Sequence, residues 1–248
     1  IHAELDSTNA EALRRLAGGD AGPGWILARR QTAARGRRGR VWAMPDGNFA
    51  ATLYFRPQGG EALALRSFVA ALALRETLVA VTGRPALFAL KWPNDVLLSG
   101  KKLAGILLET GGAPLGLAIG FGVNLAAAPD PAGLEPGAVT PVSLCGATGL
   151  AVDPEDFLDL LAPAVAEWEA RLATQGFAPL RAAWLARAAR LGEPVTARLP
   201  GRTIEGRFET IDEIGALVLA TAGGRVALPA AEVHFGTTTE ERAHAARH

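Results

Sequence analysis

The sequence predicts an α+β domain with a small β-barrel appended to it. Three observations predict this. Up to residue 190, long apolar helical stretches alternate with short strand-like runs. After Leu191-Gly192 the character changes to five short β-forming runs separated by Gly and Pro turns. A chain of 248 residues is long enough for one main domain plus a small one. The expected organisation is 1–190 and 191–236, with a polar tail over 237–248 that frays.

Taken in order, Thr8 opens the first helix, because Thr8-Asn9-Ala10-Glu11 has capping-box spacing, and Gly18-Gly19 stops it. Residues 25–28 read as a strand. Residues 31–47 hold Gly and Arg with little periodicity and read as a loop. Residues 48–55 alternate and carry aromatics, a strand ended by Pro57 and Gly59-Gly60. Residues 61–81 form a long apolar helix closed by Gly83 and Pro85. Residues 88–91 are a strand, and 96–98 with 102–103 flank Ser99-Gly100 as a tight hairpin. Residues 104–110 and 115–122 pair across Gly111-Gly112. Residues 126–141, rich in Ala, Pro and Gly, read as a surface loop. Asp153-Pro154 starts a helix to about 173 with a kink at Pro163, and 177–189 form another. The five last strands are read at 195–199, 202–211, 216–220, 225–228 and 232–234.

Charge narrows the functional classes. Lys plus Arg (25) equals Asp plus Glu (25), so no global field draws the chain to nucleic acid or an anionic membrane. Any electrostatic function is local. Cys145 is the single cysteine, so no internal disulfide forms, which fits a reducing compartment. No apolar run reaches about 18 residues, and Ile1-His2-Ala3-Glu4 lacks the order of a secretion signal. A cytoplasmic protein is expected. His2, His234, His244 and His248 are too scattered to suggest a metal site, and Cys145 reads as a packing residue.

Two segments carry chemistry. Arg35-Gly36-Arg37-Arg38-Gly39-Arg40 packs four arginines into six residues, between Gln31-Thr32 and Trp42. Such crowding needs an anion or carboxylates to relieve it; guanidinium forks suit phosphate or carboxylate oxygens, and glycines admit close backbone approach. Trp42 offers a flat face for a ring. Read alone, the segment fits equally a solvated basic loop that binds nucleic acid without specificity. The second segment is Lys91-Trp92-Pro93-Asn94-Asp95, with Lys102 and Gly105 following. A returning hairpin would bring its two cations, amide and carboxylate together, a set suited to phosphoryl transfer, with Asp95 as a candidate Mg²⁺ partner. Read alone, this is also ordinary turn chemistry beside a core tryptophan.

In order along the chain these segments closely resemble the bacterial biotin–protein ligase family. The matching pieces are Ser7-Thr8-Asn9, Gln31 through Trp42, Lys91-Trp92-Pro93-Asn94-Asp95, Lys102-Leu103-Ala104-Gly105-Ile106-Leu107 and Ile119-Gly120-Phe121-Gly122-Val123-Asn124. The resemblance covers nearly the whole chain. It implies a mixed sheet packed with helices, a class II synthetase-like core, followed by an SH3-like barrel. It implies ATP-dependent activation of biotin to biotinyl-AMP, with Mg²⁺ accompanying ATP, and transfer to a lysine of a biotin carboxyl carrier protein of acetyl-CoA carboxylase or a related carboxylase. Biotin would be surrounded by Ser7, Thr8, Asn9, Gln31, Lys102 and Gly105, with Arg35 and Gly36 on the ligand. Arg37 would retain the acyl-adenylate. Trp42 would stack near adenine, and Arg38, Arg40, Lys91, Asn94 and Asn124 would face the nucleotide. Ile106, Leu107 and Leu108 would help form apolar walls around the thioether ring.

Lys102 is the expected bridging cation, with Arg35 and Arg37 sharing the catalytic work. No protein nucleophile is required. The resemblance departs at Ala34, where the family usually has glycine; if that site needs positive φ, alanine carries about 1 kcal/mol or more of strain. Only six residues precede Ser7, so the winged-helix DNA-binding domain of many relatives does not fit, and no repressor role or nucleic-acid partner is expected. A monomer or a homodimer is compatible with the chain. Three rival readings stay open: a lipoate or octanoate ligase, a nucleic-acid-binding module, and a sensor that binds biotin without turnover.

Overall fold

The computed structural model describes residues 1–57, 62–134 and 137–235. The tail expected over 237–248, with His244 and His248, lies outside the described residues, as do Gly59-Gly60 and Glu61.

Seven strands form the first sheet: β1 (His2–Leu5), β2 (Gly24–Gln31), β3 (Phe49–Phe55), β4 (Phe88–Lys91), β5 (Asp95–Leu98), β6 (Lys101–Gly111) and β7 (Gly116–Val123). Their order is β1-β2-β3-β7-β6-β5-β4. Only β1–β2 is parallel, so the sheet is mixed. The sequence pattern missed β1, whose four residues carry no alternation. Its pairing of His2 with Ala28 and Leu5 with Gln31 extends β2 three residues beyond the expected end.

The two faces of this sheet have different tasks, and strand periodicity separates them. On β3, Phe49, Ala51 and Leu53 join the main core, whereas Thr52 and Tyr54 point to the other face. The core face is covered by α2 (Arg66–Thr82), α4 (Pro154–Gln175) and α5 (Phe177–Leu185). Helix α2 is apolar nearly all round because the sheet lies on one side and α4 on the other. It ends where Gly83 turns left-handed at φ 67° and its N–H closes on Val79 O. Helix α4 runs unbroken through Pro163, so the expected kink does not divide it. The other face carries α1 (Thr8–Ala17), packed through Ala12 and Leu16 on Ile26, Tyr54 and Ala118.

Helix α5 stops four residues earlier than its apolar pattern suggests. Leu90 of edge strand β4 donates to Arg187 O and accepts from Ala189 N, so the chain is captured as an extra strand-like bridge. A short α3 (Leu144–Thr148), capped by Ser143, follows the 126–141 segment. That segment is more than surface loop. Lys102 N–H donates to Thr140 O, and Val142 N–H donates to Lys102 O. Its start is fixed by buried Asn48, which donates to Ala127 O and accepts from the N–H groups of Ala126 and Ala127. Asn48→Ala orphans these groups and is expected to lower stability by about 3 kcal/mol, read by chemical denaturation.

The last five strands, β8 (Pro194–Leu199), β9 (Arg202–Ile211), β10 (Leu217–Thr221), β11 (Gly224–Leu228) and β12 (Glu232–Phe235), form an antiparallel sheet ordered β11-β10-β9-β8-β12. β11 and β12 lie at opposite edges, so the expected barrel is not closed among the described residues. The core is continuous between the sheets: Trp184 of α5 meets Phe68 of α2 and Phe208 of β9 edge to face, and Trp92 Nε1–H donates to Gly215 O at 3.1 Å.

Candidate functional site

The site face of the first sheet, the basic loop, the 126–141 segment and strand β12 enclose a cavity of about 470 Å³. At one end the groups are neutral. Ser7, not Thr8, caps α1, its hydroxyl accepting from Ala10 N–H at 3.4 Å. The cap shifts because Asp6 holds the Ser7 N–H at 2.7 Å while gripping Arg14. Thr8 is thereby free to face inward. Its N–H and hydroxyl meet Gln31 Oε1 at 2.7 and 3.2 Å. With its oxygen so engaged, the Gln31 amide nitrogen, 3.5 Å from Met44 Sδ, is left as a donor on the cavity wall. Asn9 also lines the cavity and is held there: its amide donates to Glu109 at 2.8 Å and Leu107 O at 3.3 Å, and its oxygen accepts from Thr52.

The floor is β6 and β7. Gly105 and Leu107 face the cavity with Gly120 and Gly122, while Leu108 turns to the core instead of forming a wall. The glycines are needed for close approach. A Cβ on Gly120 would overlap the Asn9 amide, and one on Gly122 would lie 2.6 Å from the Trp42 ring. Gly105 lies beneath the same indole.

Lys102 Nζ lies 2.8 Å from Asp95 Oδ1 and 5.7 Å from the centre of the Trp42 ring. Lys91 Nζ lies 3.7 Å from Asp95 Oδ2. The β4–β5–β6 pairing creates this group by setting Lys91 opposite Asp95 and Asp95 opposite Gly105. Burial alone would raise the Asp95 carboxyl, but the Lys102 and Lys91 ammonium groups hold it below the ordinary carboxylate range. Burial pushes Lys91 down, against the pull of Asp95. A carboxylate flanked by two ammonium groups is poorly placed as a direct Mg²⁺ ligand, because their positive charges oppose the ion. Among the described residues no group of three or more His, Cys, Asp or Glu is arranged to hold a metal.

The basic loop is a small closed hairpin. Arg35 bridges to Val41, Gly36 N–H donates to Arg40 O at 2.7 Å, and Trp42 N–H donates to Ala34 O at 3.0 Å. Ala34 is buried and is not a positive-φ residue, so the feared strain is absent; the left-handed turn falls at Arg38 (φ 58°) and Gly39 (φ 73°). Carboxylates relieve three of the arginines. Arg35 pairs with Glu109 at 3.3 Å. Arg40 forks onto both oxygens of Glu232 at 2.6 and 2.7 Å, and Arg38 joins it at 3.2 Å. Arg37 has no ion pair among the described residues. It donates to Asn94 Oδ1 at 3.4 Å, and burial, reinforced by Arg38, pushes its guanidinium down. Asn94 is itself held by Ile106 O. Asn124 is buried with its Nδ2 on Val142 O, and its Oδ1 has no partner among the described residues.

Thr52, Glu109, Glu232 and His234 were missed by sequence reasoning. The only available signal was polarity: Thr52 and Glu109 are polar residues inside strands. Glu232 and His234 come from the segment read as a separate barrel, yet they line this cavity. The Arg40 hydrogen bonds bring the Glu232 carboxyl from 4.5 to about 2. A depressed carboxyl contributes its stabilisation above its unfolded value and loses it as pH falls through the folded one. The clasp should therefore hold undiminished above about pH 4.5 and open only towards pH 2. Carboxylate NMR is expected to show Glu232 titrating near 2, and nearer its ordinary range in Arg40→Gln.

Comparison with known proteins agrees with this geometry. Residues 5–124 match the Biotin/lipoate A/B protein ligase family, and residues 191–236 match the Biotin protein ligase C terminal domain. A Paracoccus denitrificans protein named biotin--[acetyl-CoA-carboxylase] ligase is 61% identical over 94% of this chain and 99% of its own length. The chain belongs to the biotin/lipoate protein ligase family. A further family member, the Mycobacterium tuberculosis biotin--[acetyl-CoA-carboxylase] ligase, is 35% identical, covering 94% of this chain and 87% of its own. Among solved structures, the Aquifex aeolicus biotin protein ligase in complex with biotin and ATP superposes with a TM-score of 0.82 at 27% identity, over 96% of this chain and 98% of that one.

Proposed function

We infer that the chain is a biotin–protein ligase. It joins biotin to AMP at the expense of ATP, then passes the biotinyl group to a lysine of a biotin carboxyl carrier protein of acetyl-CoA carboxylase or a related carboxylase. The observation that carries this reading is the meeting, in one cavity, of the neutral Thr8–Gln31 end with a cationic end of Lys102, Lys91 and Arg37.

The ureido ring of biotin offers N–H donors and a carbonyl acceptor, which suit Ser7, Thr8 and the Gln31 amide nitrogen, whose second N–H is not used by Met44. Leu107 and Gly105 flank the apolar part. A biotin carboxylate oxygen attacks the α-phosphorus, the bond to the β-phosphate oxygen breaks, and pyrophosphate leaves. Both reactants are anions, so the protein's contribution is positioning and charge neutralisation. Lys102 bridges the two, held in place by Asp95. Arg37 and Arg35 screen the phosphates with Gly36 N–H nearby, and Arg38 and Arg40 can add to them on leaving Glu232. Trp42 covers the adenine, and Asn124 Oδ1, without a partner among the described residues, accepts from the nucleotide. Mg²⁺ enters with ATP as part of the substrate. In the second half-reaction the carrier amine attacks the acyl carbon, the bond to AMP breaks, and the amine gives up a proton.

Among the described residues no helix is long and apolar enough to cross a membrane. We place the reaction in the cytoplasm, where carrier and ATP meet. The test is biotin-dependent exchange of labelled pyrophosphate into ATP. Folded protein that exchanges nothing overturns the reading, and thermal stabilisation by lipoate in place of biotin would reassign the acid.

A further inference from the structure

His234 is only 5% exposed on β12 and lines the cavity. Its Nδ1 lies 2.9 Å from Gly137 O. A carbonyl only accepts, so the ring proton sits on Nδ1, and in the neutral ring Nε2 is a bare acceptor. That Nε2 is buried and has no hydrogen-bond partner among the described residues. The nearest anion is Glu232 Oε2 at 3.9 Å. Two acceptors facing each other gain nothing; a protonated Nε2 would turn the pair into a charge-assisted hydrogen bond.

In the ligand-free arrangement Glu232 is spent on Arg40 and Arg38. Among the described residues the ring also has cations near it: those two arginines from the loop, Arg198 on β8 near Gly137, and Lys91, which packs on Phe235 and is paired with Asp95. Polyphosphate changes both conditions at once. It would neutralise the loop arginines and draw them off the carboxylate, leaving a partly exposed anion beside an imidazole nitrogen that can accept a proton.

We propose that His234 is the standby partner of Glu232, a positioning residue that takes up a proton and receives the carboxylate when Arg38 and Arg40 turn to the phosphates of ATP. The one bond formed is Nε2–H, its proton supplied by solvent or buffer. This rests on the cavity being the nucleotide site. Its consequence is that ATP capture weakens as pH rises above neutrality, because the proton must come from an ever more dilute pool.

The test is calorimetric titration of the full chain with Mg·ATP at pH 7.5 in buffers of different ionisation enthalpy. Proton uptake approaching about one per ATP is expected, with KM for ATP rising by up to about tenfold per pH unit and kcat changing less. His234→Asn keeps a donor for Gly137 O but cannot be protonated; it should abolish the uptake and flatten the KM profile. Should the variant fail to fold, the His234 ring proton of the wild type is followed by NMR, and its titration should move to higher pH on adding a non-hydrolysable ATP analogue. ATP binding without proton uptake, uptake that survives His234→Asn, or a ring titration that nucleotide leaves in place would overturn the proposal. Absence of any ATP binding would instead overturn the functional reading.

Discussion

Lys102→Ala is expected to leave a folded protein that makes the acyl-adenylate about a hundred- to a thousandfold more slowly, the scale seen when a charge-stabilising donor is removed from a reacting centre. The carboxylate of the acid and the α-phosphate must come within bonding distance, and each repels the other. Lys102 is the cation best placed between them, because it is partly accessible on the cavity wall while Lys91 is buried behind Asp95. The fold should survive, since Lys91 remains to compensate Asp95 and the Lys102 backbone still pairs with Thr140 and Val142. Lys102→Arg keeps the charge but not its compactness and should recover only part of the rate. Pyrophosphate exchange reports the chemistry and circular dichroism the fold. Near-normal exchange in folded Lys102→Ala would remove this residue from the mechanism.

Arg37→Gly is expected to uncouple activation from delivery. Arg37 is the one loop arginine with no ion pair among the described residues, and the proposed function gives its charge to the ligand. Removing it deprives the acyl-adenylate phosphate of a charge-assisted hydrogen bond of about 1.5–3 kcal/mol, or roughly 10–100-fold faster escape. The free protein loses only a long contact to Asn94, so stability should hardly change. The escaped anhydride acylates any amine it meets. Biotin should therefore appear on bystander proteins in Arg37→Gly reactions, while the parent labels the carrier alone. Labelling that stays confined to the carrier would strip Arg37 of this role.

What could be read beforehand, and what could not, follows from how local each signal is. Strands of alternating pattern such as β3, and the β5–β6 hairpin, are written in neighbouring residues. The first helix opens at Thr8 as its pattern indicates, but its cap is Ser7 and not Thr8, because that cap depends on Asp6 holding Ser7 N–H while it grips Arg14. The end of α5 is decided by Leu90, almost a hundred residues earlier in the chain, which no local window contains. The same holds for the site. Arg35 to Arg40 announce themselves by density, but the carboxylate that holds Arg40 is 192 residues away. Nothing near Glu232 marks it as a partner of that loop. The division into a main unit and an appended one, drawn from the change of pattern at Leu191, hid the cavity wall that the later strands supply.

Gly105 and Gly122 leave a flat hollow on the sheet, and the indole of Trp42 rests in it. If the proposed function holds, an incoming purine meets an occupied berth. It has either to evict the tryptophan or to settle on its outer surface, and in the first case the resident ring acts as a competitive ligand at permanently high local concentration. Apparent nucleotide affinity is then divided by the fraction of molecules whose berth is vacant. A smaller side chain in place of Trp42 would give up a stacking surface yet abolish that competition, so tighter and looser binding are both within reach of one substitution.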